Sequence, residues 1–263
     1  MTFDKRNSTY RESAYLPWLY LVVTLICTAV WIGATPETES SRTWLRLSRW
    51  LPTIVAAGFI FYGGKAAVNA VIQSLTVKKH QWGWLVASAA FFGLLALTAS
   101  LVNFAMLHPE LSWSLSAVPP NVVAMAVVWS IGEEFGWRGY ALPRLVEKMG
   151  PVWASLVIGI AWWLWHTPGW LVGFGAPNDI SYLAFGVWVV SASFVFTYFY
   201  VKSKANVWTA VLLHAGANIS FGAVPIMPFN TGGPQAFYIL LTLSTVTAVL
   251  TAVLMKKVTA KQP

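Results

Sequence analysis

The sequence predicts an all-α, polytopic membrane protein of about eight transmembrane helices, and three observations carry that expectation. Hydrophobic residues fill 57% of the 263 positions and charged residues only 10%, against about 25% charged in soluble domains. A water-facing exterior cannot be assembled from so few charges. Sixteen tryptophans are the second departure, since Trp concentrates where helices meet lipid headgroups. The third is that the chain divides into apolar stretches near the roughly 20 residues needed to cross a bilayer core. They fall at about 16 to 34, 51 to 76, 82 to 107, 119 to 142, 151 to 172, 181 to 201, 207 to 222 and 236 to 255.

The first stretch follows Lys5, Arg6 and Arg11 and so resembles a secretory leader in outline. Its apolar run from Leu16 to Ala34 is longer than the core of a leader and long enough to span, so it is read as the first membrane helix. Between it and the second stretch, Arg42, Arg46 and Arg49 repeat at helical spacing with Trp44, Leu47 and Trp50 between them. That pattern predicts a helix lying in the membrane surface over Ser41 to Leu51. Pro17, Pro52, Pro119, Pro120 and Pro151 stand at helix starts, where a missing N–H is harmless. In domain terms, residues 1–118 supply helices 1 to 3, residues 119–222 a core of helices 4 to 7, and residues 223–263 the last helix.

Lys and Arg in the connecting segments predict orientation, because cytoplasmic loops carry the excess. With the N-terminus inside, twelve residues fall on the inner side: Lys5, Arg6, Arg11, Lys78, Lys79, Arg144, Lys148, Lys202, Lys204, Lys256, Lys257 and Lys261. Only Arg42, Arg46 and Arg49 fall outside, so both termini are expected inside. The net charge of +8 is thereby assigned to headgroups, and nucleic acid is not an expected partner. The single cysteine, Cys27, excludes an intrachain disulfide. Short basic loops fit a bacterial plasma membrane.

Ionisable side chains inside a bilayer are costly and call for partners or a function. The fourth stretch carries Glu133, Glu134 and Arg138, the fifth His166, and the seventh His214 and Asn218. Glu134 and Arg138 are spaced i, i+4 with the acid first, the favourable order for a helical ion pair. Glu133 is rotated by about 100° from Glu134 and is left without such a partner. His214 and Asn218 share a face. Peptide hydrolysis needs a base for water, an acid for the leaving amine and donors for the oxyanion. A carboxylate with an imidazole can serve the first two needs, and a second imidazole with an amide the third. Each residue also has a plainer reading: Glu134 with Arg138 as a structural pair, and a lone intramembrane His as a satisfied core residue. Lys65 can snorkel or line a wet cavity and is left out of the site. His80 and His108 lie at span ends, and most aromatic residues read as packing.

Three runs in order, Glu133-Glu134-x-x-x-Arg138, Trp162-x-x-x-His166 and His214-x-x-x-Asn218, resemble the CPBP family of intramembrane peptidases. That family includes the type II CAAX prenyl endopeptidases and bacterial relatives linked to bacteriocin immunity. The resemblance, over about 119 to 222, implies an eight-helix fold and endopeptidase activity. It also implies that Glu133, assisted by His166, activates water, that His214 and Asn218 hold the oxyanion, and that Glu134 and Arg138 support them. Trp162 stands where the family usually has Phe, which keeps an aromatic packing role. Nothing in the sequence shows a prenyl-binding surface, so the expected partners are the bilayer and a peptide or membrane-protein substrate. Two alternatives stay open. Buried Glu and His also suit a proton relay in a small transporter, or a non-catalytic immunity or scaffold protein that kept the fold. Glu133, His166 and His214 could instead hold zinc with an open position for water. Against zinc, the i, i+4 pair here is His214 and Asn218, and an amide is a poor ligand; no cofactor is therefore expected.

Overall fold

A computed structural model of the chain describes residues 15–36, 38, 41–108, 113–174 and 179–259; Lys5, Arg6, Arg11 and Lys261 lie outside that set. All regular structure among the described residues is helical. The elements are α1 (Leu16–Gly33), α2 (Ser41–Leu47), a 3-10 turn (Ser48–Trp50), α3 (Leu51–Tyr62), α4 (Gly64–Leu75) and α5 (Trp82–Val102). Then follow α6 (Pro120–Glu134), a π-helical segment (Phe135–Ala141), α7 (Leu142–Trp165), α8 (Thr167–Leu171), α9 (Tyr182–Lys202), α10 (Trp208–Ala223), α11 (Pro228–Thr231) and α12 (Gln235–Thr259).

Six helical stretches are long and apolar enough to cross a membrane, and the longest, Pro120–Leu171, contains two of the expected spans. Gly150 breaks it, with φ 77° and ψ 166°, just before Pro151. Proline disfavours helical geometry in the residue before it, and glycine takes the positive φ without strain. The chain turns back there, bringing Trp162 and Arg138 face to face. The result is a multi-pass integral membrane protein.

The second expected span is drawn differently from the sequence reading. Residues 41–62 form one uninterrupted helical run through α2, the 3-10 turn and α3, about 33 Å long at 1.5 Å per residue. It runs antiparallel to α1: the Trp31 indole N–H donates to the Trp44 carbonyl at 2.8 Å near one end, and the Tyr20 hydroxyl donates to the Pro52 carbonyl at 3.1 Å near the other. Ser41 to Leu51 is therefore not a separate surface helix, and 51 to 76 is not one span. The break comes at Gly63–Gly64, where Gly64 takes φ 66°, and α4 leaves as a separate helix on which Lys65 is exposed.

Segments assigned by charge to one side do meet. Gln81 donates to the Ser203 carbonyl at 2.7 Å and Asn206 donates to Gln81 at 2.9 Å, while at the other end Ser116 N–H donates to the Ala223 carbonyl at 2.8 Å. Helix α9 is the centre, packed on α7, α10, α5 and α12. Ser193 on α9 donates to the Ser155 carbonyl of α7 at 2.9 Å.

Two glycines one turn apart set the approach of the 3-10 turn and α3 to the Pro120–Leu171 unit. A Cβ on Gly132 would stand 2.9 Å from the Arg49 carbonyl oxygen, and one on Gly136 would stand 2.4 Å from the Pro52 carbonyl and 2.5 Å from the Tyr20 hydroxyl. Small residues at this spacing let helix backbones come together in a membrane. Gly136→Ala should therefore lower stability in detergent by about 1–3 kcal/mol or more, the usual range for overpacking. Gly58→Ala on α3, where the added carbon meets nothing within 4 Å, is the matched control. Thermal unfolding of the two variants decides it, and equal midpoints would refute the close-packing account.

Candidate active site

The site begins at the C-terminal end of α6. Glu133 and Glu134 are its last two residues, and the following Phe135–Ala141 segment is π-helical, a widened i→i+5 turn of the kind often found at functional sites. Rotation between adjacent residues sends the two carboxylates to different neighbours.

Glu134 is fully buried and takes two partners. Arg138 Nη1 lies 3.0 Å from its Oε2 and donates to its Oε1 at 3.1 Å. His214 Nδ1–H, from α10, donates to Oε1 at 2.8 Å, because a carboxylate can only accept. The Arg138 guanidinium is itself fully buried, and its Nε and Nη2 make no hydrogen bond among the described residues. Two aromatic rings pack beside it instead, with the guanidinium carbon 4.4 Å from the Trp162 ring centroid and 4.5 Å from that of Phe196, the two rings themselves in contact at 5.6 Å. Such cation–π contacts gain strength when desolvated.

Glu133 faces Trp162 and the interior space. The Trp162 indole N–H donates to Glu133 Oε2 at 3.1 Å, so this tryptophan does more than the packing expected of it. An indole carries a donor that Phe lacks. His214 Nε2 stands 4.0 Å from the same Oε2. No Arg or Lys makes an ion pair with Glu133 among the described residues.

His166 ends α7, and its Nδ1–H donates to the Trp162 carbonyl at 2.7 Å. A carbonyl accepts only, so that bond fixes the proton on Nδ1 in the neutral ring and leaves Nε2 as an acceptor. The ring is held on edge by Trp165 and Phe185, with centroids at 4.9 and 5.1 Å. Asn218 sits one turn beyond His214 on α10, half-buried, and its amide makes no hydrogen bond among the described residues.

Glu133, His166, His214 and Asn218 all line one cavity of about 60 Å³, room for a few water molecules. Arg49 lines it as well. The charge count had placed Arg49 in an outer surface segment, and the continuous 41–62 helix puts it here instead. The available signal was the direct run from Arg49-Trp50 into Leu51-Pro52, with no turn residue between. Lys65 and His80 are exposed and stand apart from the cavity. Among the described residues, no group of three or more His, Cys, Asp and Glu side chains is arranged to hold a metal ion.

The helices and this buried carboxylate–imidazole cluster define a multi-pass membrane protein with a polar cavity inside the bundle. Residues 115–220 match the family model described as type II CAAX prenyl endopeptidase Rce1-like. The curated protein CAAX prenyl protease 2 of Methanococcus maripaludis is 28% identical over 119 residues, covering 41% of this chain and 42% of that protein. The chain thus aligns with under half the length of that relative, which is archaeal. The matched segment is the one that carries the three motifs, and over it the resemblance to these peptidases is borne out.

Arg138→Ala would leave Glu134 buried with only His214, and breaking a buried pair on one side typically costs about 3–5 kcal/mol. Arg138→Lys should rescue little, because an ammonium offers no flat guanidinium to pack beside the Trp162 and Phe196 rings. Thermal unfolding in detergent checks both, and a wild-type midpoint for Arg138→Ala would show that the pair is not structural.

Proposed function

We propose that this chain is an intramembrane endopeptidase that hydrolyses a peptide bond in a membrane-associated or C-terminal peptide segment by glutamate-activated water. The observation that carries the reading is the division of labour between adjacent carboxylates. Glu134 is committed to Arg138 and His214, while Glu133 keeps Oε1 without a partner among the described residues and borders the cavity with His166 and Asn218. The likeness to CAAX prenyl proteases over 115–220 supports it.

In this mechanism a water in the cavity gives its proton to Glu133 as its oxygen attacks the peptide carbonyl. His166 Nε2, free to accept, orients that water. Negative charge then builds on the carbonyl oxygen. The Asn218 amide donates to it, as does His214 Nε2 when that nitrogen carries a proton, and fixed donors of this kind usually supply a large share of the rate. Glu133 returns the proton to the leaving amine as the C–N bond breaks. Trp162 holds the carboxylate in register throughout.

Glu133→Gln keeps the shape and the Trp162 contact but removes the base. Turnover of a peptide substrate by purified protein should fall at least about a hundredfold, within the range for general-base loss, with the unfolding midpoint retained. Wild-type turnover by that variant would remove this mechanism, and absence of any cleavage by folded wild type would favour the transport or scaffold reading.

The same chemistry needs no metal. Activity should survive exhaustive chelation, measured beside the metal content of the active protein. One zinc per chain, with activity lost on its removal and restored by zinc alone, would recast Glu133, His166 and His214 as ligands.

A further inference from the structure

The cavity contains one charge that the hydrolytic steps leave unused. Arg49 lies on the 3-10 turn between α2 and α3, half-buried, with its backbone held against Gly132, the residue next to Glu133. Its guanidinium carbon is 6.0 Å from the Trp129 ring centroid and 5.9 Å from that of Phe174. It lines the same cavity as Glu133 and His166. Yet it makes no hydrogen bond or ion pair with any described residue. Arg138 shows what a structural arginine looks like in this bundle, with a carboxylate at 3.0 Å. A cation inside a membrane protein without an acceptor is costly, and a guanidinium presents its donors in a plane that matches a carboxylate two to two.

We propose that Arg49 is a carboxylate-binding subsite of the cavity: a carboxylate of the substrate peptide seats on its guanidinium, and that anchor determines which peptide bond lies beside Glu133. The proposal rests on the peptidase reading above and adds a specificity determinant to it. The anion is either the peptide's terminal carboxylate or an acidic side chain, and both present the same two oxygens. A role as simple counter-charge for Glu133 fits less well, because no direct Arg49–Glu133 ion pair forms among the described groups.

The test uses matched peptides that differ only in charge: free-acid against carboxamide C-termini, and Glu against Gln at an internal position. Wild-type kcat/KM should favour one acidic member by about tenfold or more, the range of a charge-assisted hydrogen bond, and the favoured pair identifies the source of the carboxylate. Arg49→Gln should bring that ratio close to one, and Arg49→Lys should keep part of it. A second arm measures retention of the same fluorescent peptides by the Glu133→Gln chain and by the Arg49→Gln/Glu133→Gln double variant, so it reads the subsite without catalysis. Charge-dependent retention lost in the double variant supports the subsite even if wild type cleaves nothing, in which case only the peptidase reading falls. Equal handling of every pair by wild type, or a preference that survives Arg49→Gln, overturns the subsite and leaves the peptidase reading standing. If Arg49→Gln does not fold, wild type and Arg49→Lys carry the comparison, and an undiminished preference in Arg49→Lys overturns the subsite.

Discussion

Glu134 holds Arg138 within its own helical unit and His214 on α10 with a single carboxylate, and it does so with no exposed surface. Removing a partner from such a group leaves its charge less compensated in low dielectric, which is far more costly than never having placed a pair there. The arrangement therefore constrains everything around it. Arg138 is pinned at one end by the carboxylate and packed against the adjoining rings of Trp162 and Phe196. Trp162, so placed, aims its indole N–H at Glu133 and its carbonyl at His166. A chain of contacts thus runs from a structural acid to the two groups assigned to water activation.

The other constraint is steric. Gly132 and Gly136 flatten one face of the Pro120–Leu171 unit where the Arg49 and Pro52 carbonyls press against it. Polar contacts fix α10 to this unit, whereas close backbone approach fixes the 3-10 turn and α3. The two kinds of constraint converge on Glu133, flanked in sequence by Gly132 and Glu134. Its position is determined from both sides although it makes few contacts itself.

How much of this was legible in the sequence depends on the kind of signal each residue carries. Glu133, Glu134, Arg138, His166, His214 and Asn218 stood out because polar groups in apolar runs are rare, and the i, i+4 geometry of Glu134 with Arg138 survives even through the π-helical segment. Arg49 was misplaced because three arginines at helical spacing read identically on a helix lying along a membrane and on one crossing it. Spacing gives a face but no direction. The second span was drawn too late for the same reason, although Gly63–Gly64 within its apolar run marked the break that the structure uses. The Trp162 hydrogen bond was hidden because it joins positions 29 residues apart, and nothing local distinguishes an indole that packs from one that also donates. The π-helical turn has no sequence signature of its own.

The i, i+4 placement of Glu134 and Arg138 has a further meaning during synthesis. Helices enter the bilayer roughly in chain order, and α6 must do so before His214, 80 residues later than Glu134, exists to share the load. An acid whose cation lies in the same helical segment arrives already neutralised, so the segment can partition into lipid without waiting for a distant partner. Glu133 has no such companion in its own segment, and its Trp162 donor follows 29 residues later. Local order along the polypeptide thus spares one of two adjacent carboxylates from entering hydrocarbon unpaired.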